Sequence, residues 1–494
     1  MLRRAALVAV ILAPTLPLVA RAQVSPDRAT VLQQQIQDWL QDTFGTTKKP
    51  VRVTAGADHF DLAVPLGDAP DAPVLTGKMT DAGSGRWAID DISVPSPSVF
   101  HYRLPPAKTP GAPQGEITST LTVGSQQQHI LFDPTFATPS TSTSTSTIKD
   151  MSITTAGTNL TQLTHIDGGT GTATVTPIAD GRVDVAINSA LDGYTIKMSA
   201  GPAAQPVSIA MGKVSVIGNL AGVSRDRAMQ LAHQLSEKPS GTAPNGDKTA
   251  ALLAVLTDLA HGVSLDEKAE DLTVSTPNIT GMLKLLSIGL TSTSEAGKLQ
   301  ARMPLAAQGL ALPDMGLGNM ATLIPTRLAL TPSIGAVPTD AMIRIARKLS
   351  AKQDPGDDDV AALFSQGPIT AGIEDLSLDM AGASFTGSVN TLVTSPAKFS
   401  GTGKITAVDI DKLQQAMAAD PQTAQFAPVV IFLKGIGRSE QSRLVWDIIY
   451  NDGRLLVNGQ DMAALMGPPA QPAQPAQPAQ PARPRPARPA PARP

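Results

Sequence analysis

Apolar residues recur along this chain with two different periods, and the change between them maps its organisation. Near the start, Leu32, Ile36, Trp39 and Leu40 follow i, i+4, i+7, i+8 spacing. That spacing puts one apolar stripe on a helix over roughly 26–44. Ser25-Pro26 suits a cap followed by proline in the first turn, and Gly45 suits the exit. From Val51 to about Gly218 the period becomes two. Phe60, Leu62, Val64 and Leu66 alternate with other residues, as do Val183, Val185 and Ile187, and then Tyr194, Ile196 and Met198. Gly, Pro, Asn and Asp recur between these runs, which predicts short antiparallel strands separated by turns. The Ser/Thr tract Thr138–Thr147 is expected to be a flexible loop rather than a polar strand edge. Gly168-Gly169-Thr170-Gly171 has no lysine at phosphate-loop spacing and reads as a turn.

Two helices are expected over roughly 224–237 and 247–261. Val223-SRDRAMQLAHQLSEK-Lys238 resembles Val337-PTDAMIRIARKLSAK-Lys352. Each segment follows a β-like run, precedes a polar loop and a short Ala/Leu helix, and leads into a strand. The shared order points to an internal duplication. Towards the end, Lys404–Val408 reads as a strand. A helix follows, carrying Ile410, Leu413 and Met417, with Asp409 or Asp411 as its cap. Leu444, Trp446, Ile448 and Tyr450 line one strand face; Asn451-Asp452-Gly453 turns the chain, and Leu455–Val457 returns. Asp461 then caps a short helix.

The fold class expected is α+β: β-rich, with extended antiparallel sheets and a few amphipathic helices packed on them. The expected divisions are 1–22, 23–222, 223–336, 337–466 and 467–494. The first is a cleavable signal peptide: Arg3 and Arg4, an uncharged run Ala5–Ala20, then Ala20-Arg21-Ala22. Pro14 and Pro17 argue against a spanning helix. The next three are a β-rich region with its leading helix and two helix-pair-plus-sheet units. The last is a Pro/Ala/Arg-rich tail, expected to be disordered, that would reach about 85 Å at roughly 3.1 Å per residue in a polyproline helix.

Composition narrows the function classes. The chain has no cysteine among its 494 residues, which removes disulfides and thiolate chemistry. Aromatic residues are 3% and the net charge is −3, which gives no basic face for nucleic acid. The six histidines, His59, His101, His129, His165, His233 and His261, show no metal-ligand spacing. Ser146-Thr-Ile-Lys149 matches Ser-x-x-Lys, but the other elements of a penicillin-recognising site are missing from its context. Asp357-Asp358-Asp359 fails the calcium-loop spacing and suits an acidic helix start. No catalytic, cofactor-binding or metal-binding residue is assigned, and no cofactor.

Several features together resemble an uncharacterised bacterial family, catalogued as domain of unknown function 2125. They are the exported start, the Trp39 helix, the β-rich middle with paired helices, SGTGKITAVDIDKLQQAM and LVWDIIYNDGRLLVNGQDMAALM. The end of the chain is more loosely similar to envelope proteins of the AsmA and YdgA kind. The first resemblance implies an exported location and a β-rich fold, with no activity. The second implies lipid handling. The expected function is a non-enzymatic cell-envelope protein, periplasmic or secreted, that binds lipid or another envelope component on a concave sheet face. The alternative is a structural or assembly factor that docks through its tail. Membrane contact is expected to be peripheral at most, through Arg483, Arg485, Arg488 and Arg493 of that tail.

Overall fold

A computed structural model describes residues 24–44, 49–67, 71–83, 86–103, 116–132, 142–157, 160–200, 205–224, 226–228, 260–312, 317–419, 421–451 and 453–463. The signal segment 1–22, Gly45, residues 229–259 of the first helix pair and the tail 467–494 lie outside the described residues. The chain opens with α1 (Pro26–Phe44) and the short strands β1 (Arg52–Ala55), β2 (Phe60–Pro65), β3 (Val74–Gly83), β4 (Arg86–Ser93) and β5 (Ser98–Arg103). Long strands follow: β6 (Glu116–Phe132), β7 (Ser142–Gly157), β8 (Leu160–Pro177), β9 (Arg182–Ala200), β10 (Val207–Ser224), β11 (Gly262–Ser275) and β12 (Thr280–Glu295). Next come β13 (Lys298–Arg302), β14 (Leu305–Gln308), β15 (Arg327–Pro338), α2 (Thr339–Ser350) and α3 (Asp357–Leu363). The last group is β16 (Ile369–Met380), β17 (Ala383–Ser395), β18 (Lys398–Val408), α4 (Ile410–Ala418), α5 (Ala427–Ile436), β19 (Arg438–Glu440), β20 (Arg443–Asn451), β21 (Arg454–Val457) and β22 (Gln460–Asp461).

These strands form one antiparallel sheet of 22 strands in which almost every strand pairs with its neighbour in the chain. The β-rich α+β class is therefore what the alternating pattern dictates. β4 joins the two parts of the sheet by pairing Trp87 with Phe132 at the end of β6, while β5 pairs with the start of β6. β13 and β14 act as one strand interrupted at Met303-Pro304: both pair with β12 on one side and β15 on the other. Proline cannot donate to a ladder, so the break falls there.

An open sheet needs its edges protected. The first edge is β1, and α1 covers it. Ala29, Leu32 and Ile36 bury against Val51, Val53, Phe60, Leu62, Met79 and Trp87, while the Trp39 side chain is outside the described set. The outward backbone N–H groups of Val51 and Val53 donate to Gln37 Oε1 at 2.8 Å and Gln33 Oε1 at 3.2 Å. The helix thus satisfies donors that would otherwise recruit another strand. At the other end, Asn458 Oδ1 accepts from Asp447 N at 2.9 Å, and its amide donates to Ile436 O at 2.8 Å and Val445 O at 3.0 Å.

The long strands correct the expectation of short strands and turns. Val183–Ile187 and Tyr194–Met198 belong to one strand of 19 residues, about 60 Å long at roughly 3.3 Å per residue. The Ser/Thr tract, from Ser142 on, is not a loop but β7, paired on both sides. β-branched threonines tolerate that setting well. Gly168–Gly171 is not a turn either. It lies inside β8 opposite Ser146–Lys149, and Leu191 packs so closely over Gly169 that a Cβ there would stand 2.8 Å from its Cδ2.

What looked like turns is a crease running across the sheet. The ladders skip one aligned row: Gly124 of β6, Asp150 of β7, Asp167 of β8, Gly193 of β9, Gly212 of β10, Asp271 of β11, Lys284 of β12 and Gly309 after β14. Asp150, Gly193, Asp271 and Gly309 have φ of 50°, 62°, 52° and 70°. Each glycine in the row leaves space for the side chain beside it. A Cβ on Gly124 would stand 2.9 Å from Asp150 Cβ, one on Gly309 2.7 Å from Lys284 Cγ, and one on Gly193 would overlap the Asp167 carboxylate. Burial alternation changes phase at this row. In β8, Thr164 and Ile166 are buried before it, and Gly169, Ala173 and Val175 after it. Because the neighbouring strands shift together, registers stay intact, as they would not for a lone bulge.

α2 and α3 form the expected second helix pair. Thr339 N donates to Gly297 O at 2.9 Å, which seats α2 beside the β12–β13 turn. Asp359 of α3 pairs with Lys348 of α2 and accepts from Gly356 N at 3.1 Å. Hydrogen bonding to Lys348 holds its carboxyl below the ordinary range, which gives the acidic triplet a structural use. Asp409, expected as a cap, sits at φ 56° with no side-chain cap bond; its carboxylate takes Lys412 Nζ at 2.7 Å instead. Asp461 does cap, accepting from Ala463 N at 3.0 Å.

Two measurements check this account. Gln33→Ala and Gln37→Ala each leave a buried donor without its partner and are expected to cost about 1–3 kcal/mol in urea unfolding, with increased self-association. Gly193→Ala adds side-chain overlap to a left-handed backbone, so it should cost at least ~1 kcal/mol more than Gly181→Ala, whose φ of 68° is similar but whose surroundings are open.

Candidate functional site

The strand registers sort side chains onto two faces, because directly paired residues share a face. One face is aliphatic across most of the sheet. Ile288 of β12 faces Leu305 of β14, which faces Leu330 of β15, then Leu376 of β16, Gly387 of β17, Ile405 of β18 and Trp446 of β20. A parallel row runs from Ile187 through Gly218 and Leu265 to Leu290. Phe399 stacks on Tyr450 on the same face, with ring centroids 4.6 Å apart and planes at 11°.

This face is covered at one end. There α4 and α5 pack Ile410, Leu413 and Val430 against Ala383, Ala407, Trp446 and Val457. Val175, Val183 and Val223 bury with Ala260 in a small cluster against which Ala228 packs. Between these ends no described helix lies over the strands. Leu265, Ile288 and Leu290 are 39%, 43% and 38% exposed. Aliphatic side chains this exposed, adjacent and on one face form a patch rather than scattered surface residues.

The opposite face is polar. A depression of about 930 Å³ opens on it, lined from Thr291 and Thr293 of β12 across Asn390 and Thr402 to Asn451 of β20. Arg302 pairs there with Glu374 at the bulge in β16. The register places Ile288 and Leu290 of β12 on the apolar face, and Thr291 and Thr293 of the same strand on the side of the depression.

The candidate chemical residues do not converge. His59 pairs with Asp58 at 2.7 Å and Asp61 at 3.2 Å, His101 with Glu116 at 3.4 Å, His129 with Asp90 at 2.5 Å and His165 with Asp167 at 2.9 Å. His261 packs against Gly222, and His233 lies outside the described residues. Ser146 and Lys149 stand three apart on β7 and point to opposite faces, so the Ser-x-x-Lys match makes no site. No group of three metal-ligating side chains occurs among the described residues. The residues that sequence reasoning missed are those of the exposed apolar face beyond β11, where leucines alternate without an aromatic or charged marker.

No family model, curated protein or solved structure matched the chain.

Hydrogen bonding to Asp58, aided by the Asp61 charge, raises the His59 pKa above its ordinary value. A group raised in the folded state favours folding most at pH below its unfolded pKa of about 6.5, and that contribution fades as pH climbs through the raised value. Proton NMR is expected to show His59 titrating above about 6.5, with Asp58→Asn moving it down.

Proposed function

We propose that this chain is a non-enzymatic, exported cell-envelope protein that holds lipid acyl chains along the aliphatic face of its sheet. One observation carries the reading: the face that joins Ile288, Leu305, Leu330 and Leu376 is aliphatic across adjacent strands and has no described helix over it. Water against such a surface is costly at about 25 cal/mol per Å² of apolar area, and acyl methylenes remove that cost without needing directional partners. Leu, Ile and Val shape a smooth surface that accepts chains of different length. The resemblance to domain of unknown function 2125, and more distantly to AsmA- and YdgA-like proteins, points to the same compartment and ligand class.

Native mass spectrometry of gently extracted protein tests this. Phospholipid-sized adducts are expected on the wild type. Ile288→Glu with Leu290→Glu, at positions 43% and 38% exposed, should keep the fold and reduce adduct occupancy at least tenfold. A clean unliganded mass for the wild type, or equal adducts on the folded variant, would overturn the proposal.

A further inference from the structure

α5 is built inside out. Its sequence, APVVIFLKGI, carries a single charge, and Val430 is its fully buried residue. Phe426, at its start, is 52% exposed, Val429 55%, Ile431 54%, Phe432 43% and Leu433 38%. The charge, Lys434, is held to the body of the protein by Asp411 and by Gln414 at 3.0 Å. The outward surface of the helix therefore has no ionised group. A surface helix of a soluble protein ordinarily shows the reverse pattern.

The helix is firmly seated despite this. Trp446 Nε1 donates to Leu433 O at 2.9 Å, and Asn458 Nδ2 donates to Ile436 O at 2.8 Å. With 10 residues, about 15 Å at roughly 1.5 Å per residue, it is too short to cross a bilayer. It has the dimensions of a helix lying in the headgroup region with its apolar side in the acyl boundary.

We infer that α5 is a membrane-contact helix that inserts Phe426, Val429, Ile431, Phe432 and Leu433 into an anionic phospholipid bilayer. Charge argues for that occupant over a second copy of the chain. The segment 464–494 that follows the sheet contains Arg483, Arg485, Arg488 and Arg493 and no carboxylate side chain. Stable surface attachment takes two signals, an apolar insertion and a basic segment drawn to anionic lipid. This chain supplies both. An anionic lipid surface uses these positive charges, whereas an apolar contact between two copies makes no use of them.

Co-sedimentation of the purified protein with vesicles of phosphatidylglycerol and phosphatidylethanolamine tests the inference. Binding is expected to fall at least tenfold in Val429→Ser with Phe432→Ser. Both positions are exposed, and an unchanged thermal melt would confirm the fold. In Phe432→Trp, indole emission should shift to the blue on adding vesicles. Deleting residues 467–494 should remove the salt-sensitive part of binding and leave the apolar part. Absence of wild-type binding, or equal binding of the double variant, would overturn the inference. So would a lipid-free dimer, seen by sedimentation velocity, that the double variant dissociates. Vesicle partitioning and lipid carried through purification are separate readouts, so this inference can fail while the acyl-chain reading stands.

Discussion

The fit of the Asp167 carboxylate into the space left by Gly193 is one step of the contact on which this sheet depends. The same exchange recurs on other strand pairs, Asp150 with Gly124 and Asp271 with Gly212. At each step a residue with positive φ, or the glycine beside it, shifts the phase of side-chain alternation. A shift in one strand alone would send its leucines and valines to the wrong side for the rest of its length. Because the shifts lie in one row, Val185, Leu220 and Val263 still face one another beyond it. The long strands keep one apolar face along their whole length while the sheet is free to bend at the row.

That face also sets what the ends of the molecule must do. A sheet with two open edges and an exposed aliphatic surface is prone to edge-to-edge pairing. Gln33 and Gln37 satisfy the donors of the first edge, and Asn458 ties together the last hairpin and α5. Helices gather at strand ends: α1 over β1–β4, α2 and α3 after β15, and α4 and α5 after β18. Among the described residues no helix lies over the middle of the aliphatic face. The polar depression with Arg302 and Glu374 occupies the other side.

Much of the fold was legible in the sequence. Period two is dictated by a half-solvated strand, and the hairpin through Gly453 and the helix carrying Leu32 and Ile36 follow from local rules. Strand length was not legible. Asp-Gly at 192–193 has the composition of a turn, and its role in a crease exists only through Asp167 on the neighbouring strand. The Ser/Thr run of β7 misled for the same reason: its conformation comes from β6 and β8, not from its own propensity. Which residues form the exposed face was not legible, because Ile288, Leu290 and Leu265 read as core residues until the cover above them is known. The outward face of α5 was hidden likewise, since FAPVVIFL has the composition of a buried helix.

The central claim is that acyl chains lie on the aliphatic face and not in the polar depression. Photocrosslinking with a diazirine-bearing fatty acid, read out residue by residue by peptide mass spectrometry, tests it most directly. The account predicts label on Leu265, Ile288 and Leu290, diluted by unlabelled lipid. Label confined to Thr291, Asn390, Thr402 and Asn451 would contradict it.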